Sequence, residues 1–170
     1  MMKHGLSQRK LTFDTLDDAV RDAESLRACG YDQAGKWDLA QVCGHLVDWM
    51  RFPLDGFPKQ PLPIRLMLFA IRATIGRREI RKVLAARAMK DGNPTLPDTV
   101  YAPGGDEAEA VDRFHQTVAR FQSHAGPLHP SPVFGDLDYD TVRQLQLIHC
   151  AHHLGFLIPR VSPAADVPPQ

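Results

Sequence analysis

Apolar residues recur at intervals of three and four along most of this chain, and the pattern breaks at glycines and prolines. Four stretches carry it far enough to predict amphipathic helices, at roughly residues 15–28, 38–52, 106–125 and 138–158. In the first, Leu16, Ala19, Val20, Ala23, Leu26 and Ala28 form the apolar stripe, while Asp17, Asp22, Glu24 and Arg27 face water. Thr15 can cap it, with Asp18 reaching back as a variant capping box, and Gly30 marks its stop. The second has Asp38 as cap and Gln41 at the third helical position; Leu39, Val42, Leu46, Trp49 and Met50 face inward, and Pro53 is predicted to end it. Asp106 with Glu109 opens the third, which carries Ala110, Val111, Phe114, Val118 and Phe121 and closes at Gly126-Pro127. Asp138 opens the fourth, whose inner face is Val142, Leu145, Ile148, His149, His152 or His153, Phe156 and Leu157, and which Pro159 is predicted to end.

Short links join the first two helices and the last two, so each pair is expected to be antiparallel. The roughly fifty residues between the pairs can run the length of a bundle and return. Within that crossover Pro53, Pro58, Pro61 and Pro63 predict an extended linker. A helical piece over the apolar run Leu66–Ile71 and a second around Arg78–Met89 follow, and 91–105 reads as loop. No stretch alternates as a strand does. The expectation is an all-α four-helix bundle, up-down-down-up, with extra helical segments in the long crossover. Residues 1–160 are read as one domain and 161–170 as a flexible, proline-rich tail.

Composition narrows the function classes. Lys+Arg and Asp+Glu stand at 20 each, so no global field recruits nucleic acid or a membrane. The charge is local: Arg65, Arg72, Arg77, Arg78, Arg81, Lys82, Arg87 and Lys90 face Glu79 alone. Three cysteines, an odd number without paired spacing, argue against a disulfide framework. No apolar segment follows the basic start as in a signal peptide, and none of about eighteen residues could span a bilayer. A soluble cytoplasmic protein without a transmembrane segment is expected.

The candidate chemistry is a set of histidines. His149 and His153 are four apart on the last helix and project from one face, a turn apart, as two ligands of one metal ion would. His45 lies three after Val42 and four before Trp49, so it faces the core of the second helix. It is either a third ligand or a core histidine satisfied by polar neighbours. His152 adjoins the pair but is rotated from it, as a general base or as a packing residue. Asp48, one turn after His45, can orient a ligand ring or face solvent. Cys43 and Cys150 point away from the histidines and read as core thiols; His115 and His124 lack a second ligand at the right spacing.

Trp37-Asp38-Leu39-Ala40-Gln41-Val42-Cys43-Gly44-His45-Leu46, then His129-Pro130 and Phe134-Gly135, then Leu147-Ile148-His149-Cys150-Ala151-His152-His153-Leu154 resemble the DinB/YfiT superfamily of proposed metalloenzymes. Within it the likeness is greatest to a branch classed as a domain of unknown function. The likeness spans most of residues 10–158 with the motifs in order. It implies a bundle of the topology above, a homodimer, and a divalent metal ion (zinc, nickel or iron) on His45, His149 and His153. It also implies a small-molecule substrate, with a low-molecular-weight thiol among the candidates, and a metal-dependent hydrolase or thiol transferase. Leu154-Gly155-Phe156 departs from the Arg-Gly-Gln type segment many relatives have there, which predicts a more apolar pocket. The competing expectation is a non-enzymatic helical module that works through the basic surface at residues 65–90.

Overall fold

Thr15 and Asp18 start the first helix, α1 (Leu16–Cys29), by exchanging bonds: Thr15 Oγ1 accepts from the Asp18 amide (3.2 Å) and Asp18 Oδ2 from the Thr15 amide (2.8 Å). These are features of a computed structural model, which describes residues 6–160 except 91 and 93–95, and leaves out the Arg77 side chain. The expected flexible tail 161–170, and Asn93-Pro94 of the expected loop, lie outside the described residues.

The second helix, α2 (Leu39–Asp55), has the same reciprocal cap from Asp38 and Gln41. The predicted stop at Pro53 does not hold, because the proline lies inside the helix, which ends at Gly56 with φ 100°. The reason is local. The bond Pro53 cannot donate is the one to the carbonyl of Trp49, and that oxygen instead accepts from Gln146 Nε2 of the last helix at 3.1 Å.

The crossover carries helical segments, as expected, but the extended linker read at Pro53–Pro63 shrinks to the residues between Asp55 and Leu62, because Pro63 stands in the first turn of the next helix, where a proline's missing N–H costs no bond. Helix α3 (Leu62–Ile71) passes through a π-helical turn, Arg72–Gly76, into α4 (Arg77–Ala86). Gly76 is required there, since a Cβ would strike the Val133 carbonyl. Helix α4 sorts its faces, with Ile80 buried and Arg78, Arg81 and Lys82 exposed. Helix α3 buries no residue. A 3-10 turn, Pro97–Thr99, interrupts the segment read as loop.

Helix α5 (Glu107–Gln122) begins at Asp106, whose Oδ1 accepts from the amides of Ala108 and Glu109. Helix α6 (Tyr139–Leu154) is capped by Asp138 and ends four residues before the predicted position. The first described residues stop it. Arg9 donates its guanidinium to the Leu154 carbonyl (3.0 Å) and its amide to the Gly155 carbonyl (2.8 Å), taking acceptors that a further helical turn would need. The chain then extends as β2 (Leu157–Pro159), antiparallel to β1 (Tyr31–Gln33) in the register Tyr31↔Pro159 and Gln33↔Leu157. Three-residue strands are too short to show alternation, so the sequence pattern missed both.

Helices α1, α2, α5 and α6 surround one core, with α5 against α1 and α2, and α6 against the same two. Phe114 and Phe121 are fully buried in it, each contributing about 1.5–3 kcal/mol. The contact of α2 with α6 brings His45 to the histidine pair.

Candidate metal centre

Helix α6 sets His149 and His153 one turn apart, with ring centroids separated by 4.6 Å and planes at 79°. His45 meets them from α2, its ring 5.0 Å from that of His149 and 4.6 Å from that of His153. Its Nε2 lies 3.2 Å from His149 Nε2, and the three potential ligand atoms all fall within 4.8 Å of one another. Three nitrogens at this spacing can hold a metal ion.

His45 is only 1 % exposed and its orientation is fixed from behind. Its Nδ1 stands 3.2 Å from both the carbonyl oxygen and Oγ1 of Thr99. Thr99 Oγ1 spends its proton on the Leu96 carbonyl (2.8 Å), so both oxygens accept from Nδ1–H. That tautomer leaves the Nε2 lone pair facing the cluster. Trp37 stacks on His153 at 5.3 Å and 10°, and Trp49 sets its edge against His149 at 5.9 Å and 82°.

Burial disfavours the charged form of all three rings. It pulls His45 down to about 4 against an opposing hydrogen bond from Thr99, and His153 down to about 2, with His45 and His152 adding to the shift. His149 is held well below its ordinary value by desolvation and then by its histidine neighbours. The set is therefore neutral at pH 7, the state in which imidazole ligates. Three neutral imidazoles at this spacing are able to hold a metal ion.

The cluster opens on a cavity of about 710 Å³. Its walls are mostly apolar, from Phe57, Val83, Phe134, Val142, Leu145 and Phe156 among others, so Phe156 is the residue of Leu154-Gly155-Phe156 that reaches it. Leu154 itself is in the core. Two wall residues carry buried polar atoms without a hydrogen-bond partner, Trp49 Nε1 and Gln146 Oε1. Leaving such a group unmet costs about 1–3 kcal/mol.

His152 also lines the cavity, with its ring 4.9 Å from His153 and 5.4 Å from Phe156. Asp48 accepts from the Tyr101 hydroxyl at 2.8 Å, and the acceptor behind His45 is Thr99. Cys43 and Cys150 sit in the hydrophobic core, where burial pushes both thiols up, Cys43 to about 12. His115 is exposed beside Glu24 (3.8 Å), and His124 Nε2 lies 3.4 Å from the Pro127 carbonyl. Sequence reasoning missed Thr99, Trp37, Trp49 and Gln146 as site residues. Gln146 left a signal, a polar side chain three residues before His149 on the inner face, whereas Thr99 sits in an aperiodic turn and left none.

These features define a mostly helical protein whose three-histidine cluster, the only such group among the described residues, can hold a metal ion. The chain belongs to the family described as "Protein of unknown function (DUF1569)", whose model matches residues 5–160. No curated protein and no solved structure matches it.

Proposed function

We propose that the protein is a metal-dependent enzyme, hydrolase or thiol transferase in class, built on the DinB-like four-helix topology, with His45, His149 and His153 holding one divalent ion. The observation that carries this is three neutral imidazoles converging within 4.8 Å where an apolar cavity of about 710 Å³ begins. A structural site closes its coordination sphere with protein ligands; three histidines beside a cavity leave it open.

When bound, the ion would supply Lewis acidity, polarising a substrate oxygen or acidifying a coordinated water or thiol. The remaining work falls to the chain. Thr99 fixes the tautomer of His45, and Trp37 fixes the ring plane of His153. The mostly apolar cavity walls reduce the number of polar groups around the reacting atoms. His152, within the cavity and beside His153, is the side chain placed to accept or return a proton.

The test is metal analysis of protein purified without a histidine tag, followed by zinc and nickel titration of single variants. About one ion per chain is expected, with binding abolished in His45→Ala, His149→Ala and His153→Ala and kept in His152→Ala. Absence of metal, together with parental affinity in His149→Ala, would sink the proposal.

A further inference from the structure

The unpartnered atoms Trp49 Nε1 and Gln146 Oε1 have a geometric cause. Pro53 leaves the Trp49 carbonyl without its helical donor, and Gln146 Nε2 fills that role at 3.1 Å. A carbonyl can only accept, so the amide cannot flip, and its oxygen is held without a donor. Gln146 is only 6 % exposed and sits one turn before His149; Trp49 sits one turn after His45, within 6.1 Å of that ring and 5.9 Å of His149. One fixed acceptor and one fixed donor thus belong to residues beside the histidine cluster, in a mostly apolar wall that also carries Lys36, Lys90, His129, Ser131 and His152.

We infer that this pair is a recognition site for the polar head of the substrate. The head is an uncharged group that both donates and accepts, an amide or a close analogue, and it carries an apolar body that fills the cavity. The N–H of such a group meets Gln146 Oε1 and its carbonyl accepts from the Trp49 indole. A carboxylate has no proton for Gln146, and an ammonium has no acceptor for Trp49. The inference rests on the metal reading for the reaction that follows, but not for the binding itself.

The experiment uses full-length ¹⁵N-labelled protein, with and without added zinc, and three probes: benzamide, methyl benzoate and toluene. The chain has two tryptophans, and Trp49→Phe identifies the Trp49 indole resonance. Benzamide is expected to move that resonance and to bind about tenfold more tightly than toluene, an advantage lost in Gln146→Met. Methyl benzoate, which accepts but cannot donate, should lose affinity in Trp49→Phe and keep it in Gln146→Met. Equal affinities for benzamide and toluene would overturn the inference and leave the pair to a bridging water. A protein that binds no metal yet still discriminates the probes would refute the metal reading and leave this one standing.

A separate observation concerns α3. Leu62, Ile64, Leu66, Met67 and Phe69, with Ile75 in the following turn, are between 38 % and 68 % exposed. A helix apolar on every side is ordinarily buried, and α3 is not. The segment 65–90 that contains most of it carries eight cationic residues and one acidic one, with Arg72 paired to Asp136 and Lys82 to Glu79. A second copy docked across a two-fold axis would set these cations against one another, whereas an anionic bilayer surface pairs them with its headgroups. No helix of the described residues is long and apolar enough to cross a membrane, so α3 would lie in the interface rather than span it.

The geometry points to α3 as the contact with an anionic lipid surface. Full-length protein is expected to float with vesicles containing phosphatidylserine, not with phosphatidylcholine alone, and to be released when Leu66→Asp and Phe69→Asp are combined. No flotation, or flotation unchanged in that variant, would reject the assignment. A parent of doubled mass that the same variant returns to monomer would instead make a second copy the occupant.

Discussion

Thr99 grips His45 with both of its oxygens, each 3.2 Å from Nδ1, although 54 residues separate them. Thr99→Ala removes the hydroxyl and keeps the carbonyl, so the tautomer survives with a looser ring. Zinc affinity should fall by about tenfold, the low end for loss of a group behind a ligand. Competition titration with a chelator measures this, and unchanged affinity would show that the carbonyl suffices.

Gly44 leaves room for Tyr101, whose ring would stand 2.8 Å from a Cβ at that position. Tyr101 also donates to Asp48, and its carbonyl accepts from Gln41 Nε2 at 2.6 Å. Gly44→Ala should displace the 97–101 turn and Thr99 with it. The expected result is a loss of stability of about 1–3 kcal/mol by urea unfolding, with weakened metal binding although no ligand is touched.

Tyr31 supplies a pH dependence. Burial first, then its bond to Glu107 (2.6 Å), push the phenol up to about 12. The folded chain thus holds this proton more tightly than the unfolded one does. Its contribution to stability is complete below about pH 10, the unfolded value, and is lost as pH rises through 12. Tyr31→Phe should flatten the fall in unfolding free energy over that window. An equally steep fall in the variant would assign the effect to other groups.

Arg9 makes a two-pronged ion pair with Asp22 (2.9 and 2.8 Å) while it holds the Leu154 carbonyl. Arg9→Ala should cost about 1–3 kcal/mol and fray the last turn of α6. Faster amide exchange confined to the end of α6 would report the fraying, and exchange unchanged there would place the clamp elsewhere.

The four long helices were legible because their apolar spacing and caps agree, and Asp38 with Gln41 shows both signals at one helix start. The histidine cluster was half legible. His149 and His153 announce themselves by spacing, whereas for His45 periodicity reports only a core-facing position and the family resemblance singled it out as the third ligand. Pro53 misled because its usual effect was cancelled by Gln146, almost a hundred residues away, a compensation local rules do not contain. The two strands failed for the opposite reason: each is too short to have a pattern, and exists because Arg9 ends α6 early.

The pairing of His45 with His149 spans 104 residues, the clamp on α6 joins Arg9 to Gly155, and the strand pair closes Gly30 against Arg160. During synthesis at about 5–20 residues per second, His45 therefore waits roughly 5–20 s before its partner is even made. The cluster cannot assemble until α6 has followed α2 out of synthesis, so for that interval His45 must be kept in the apolar face of α2 without its partners.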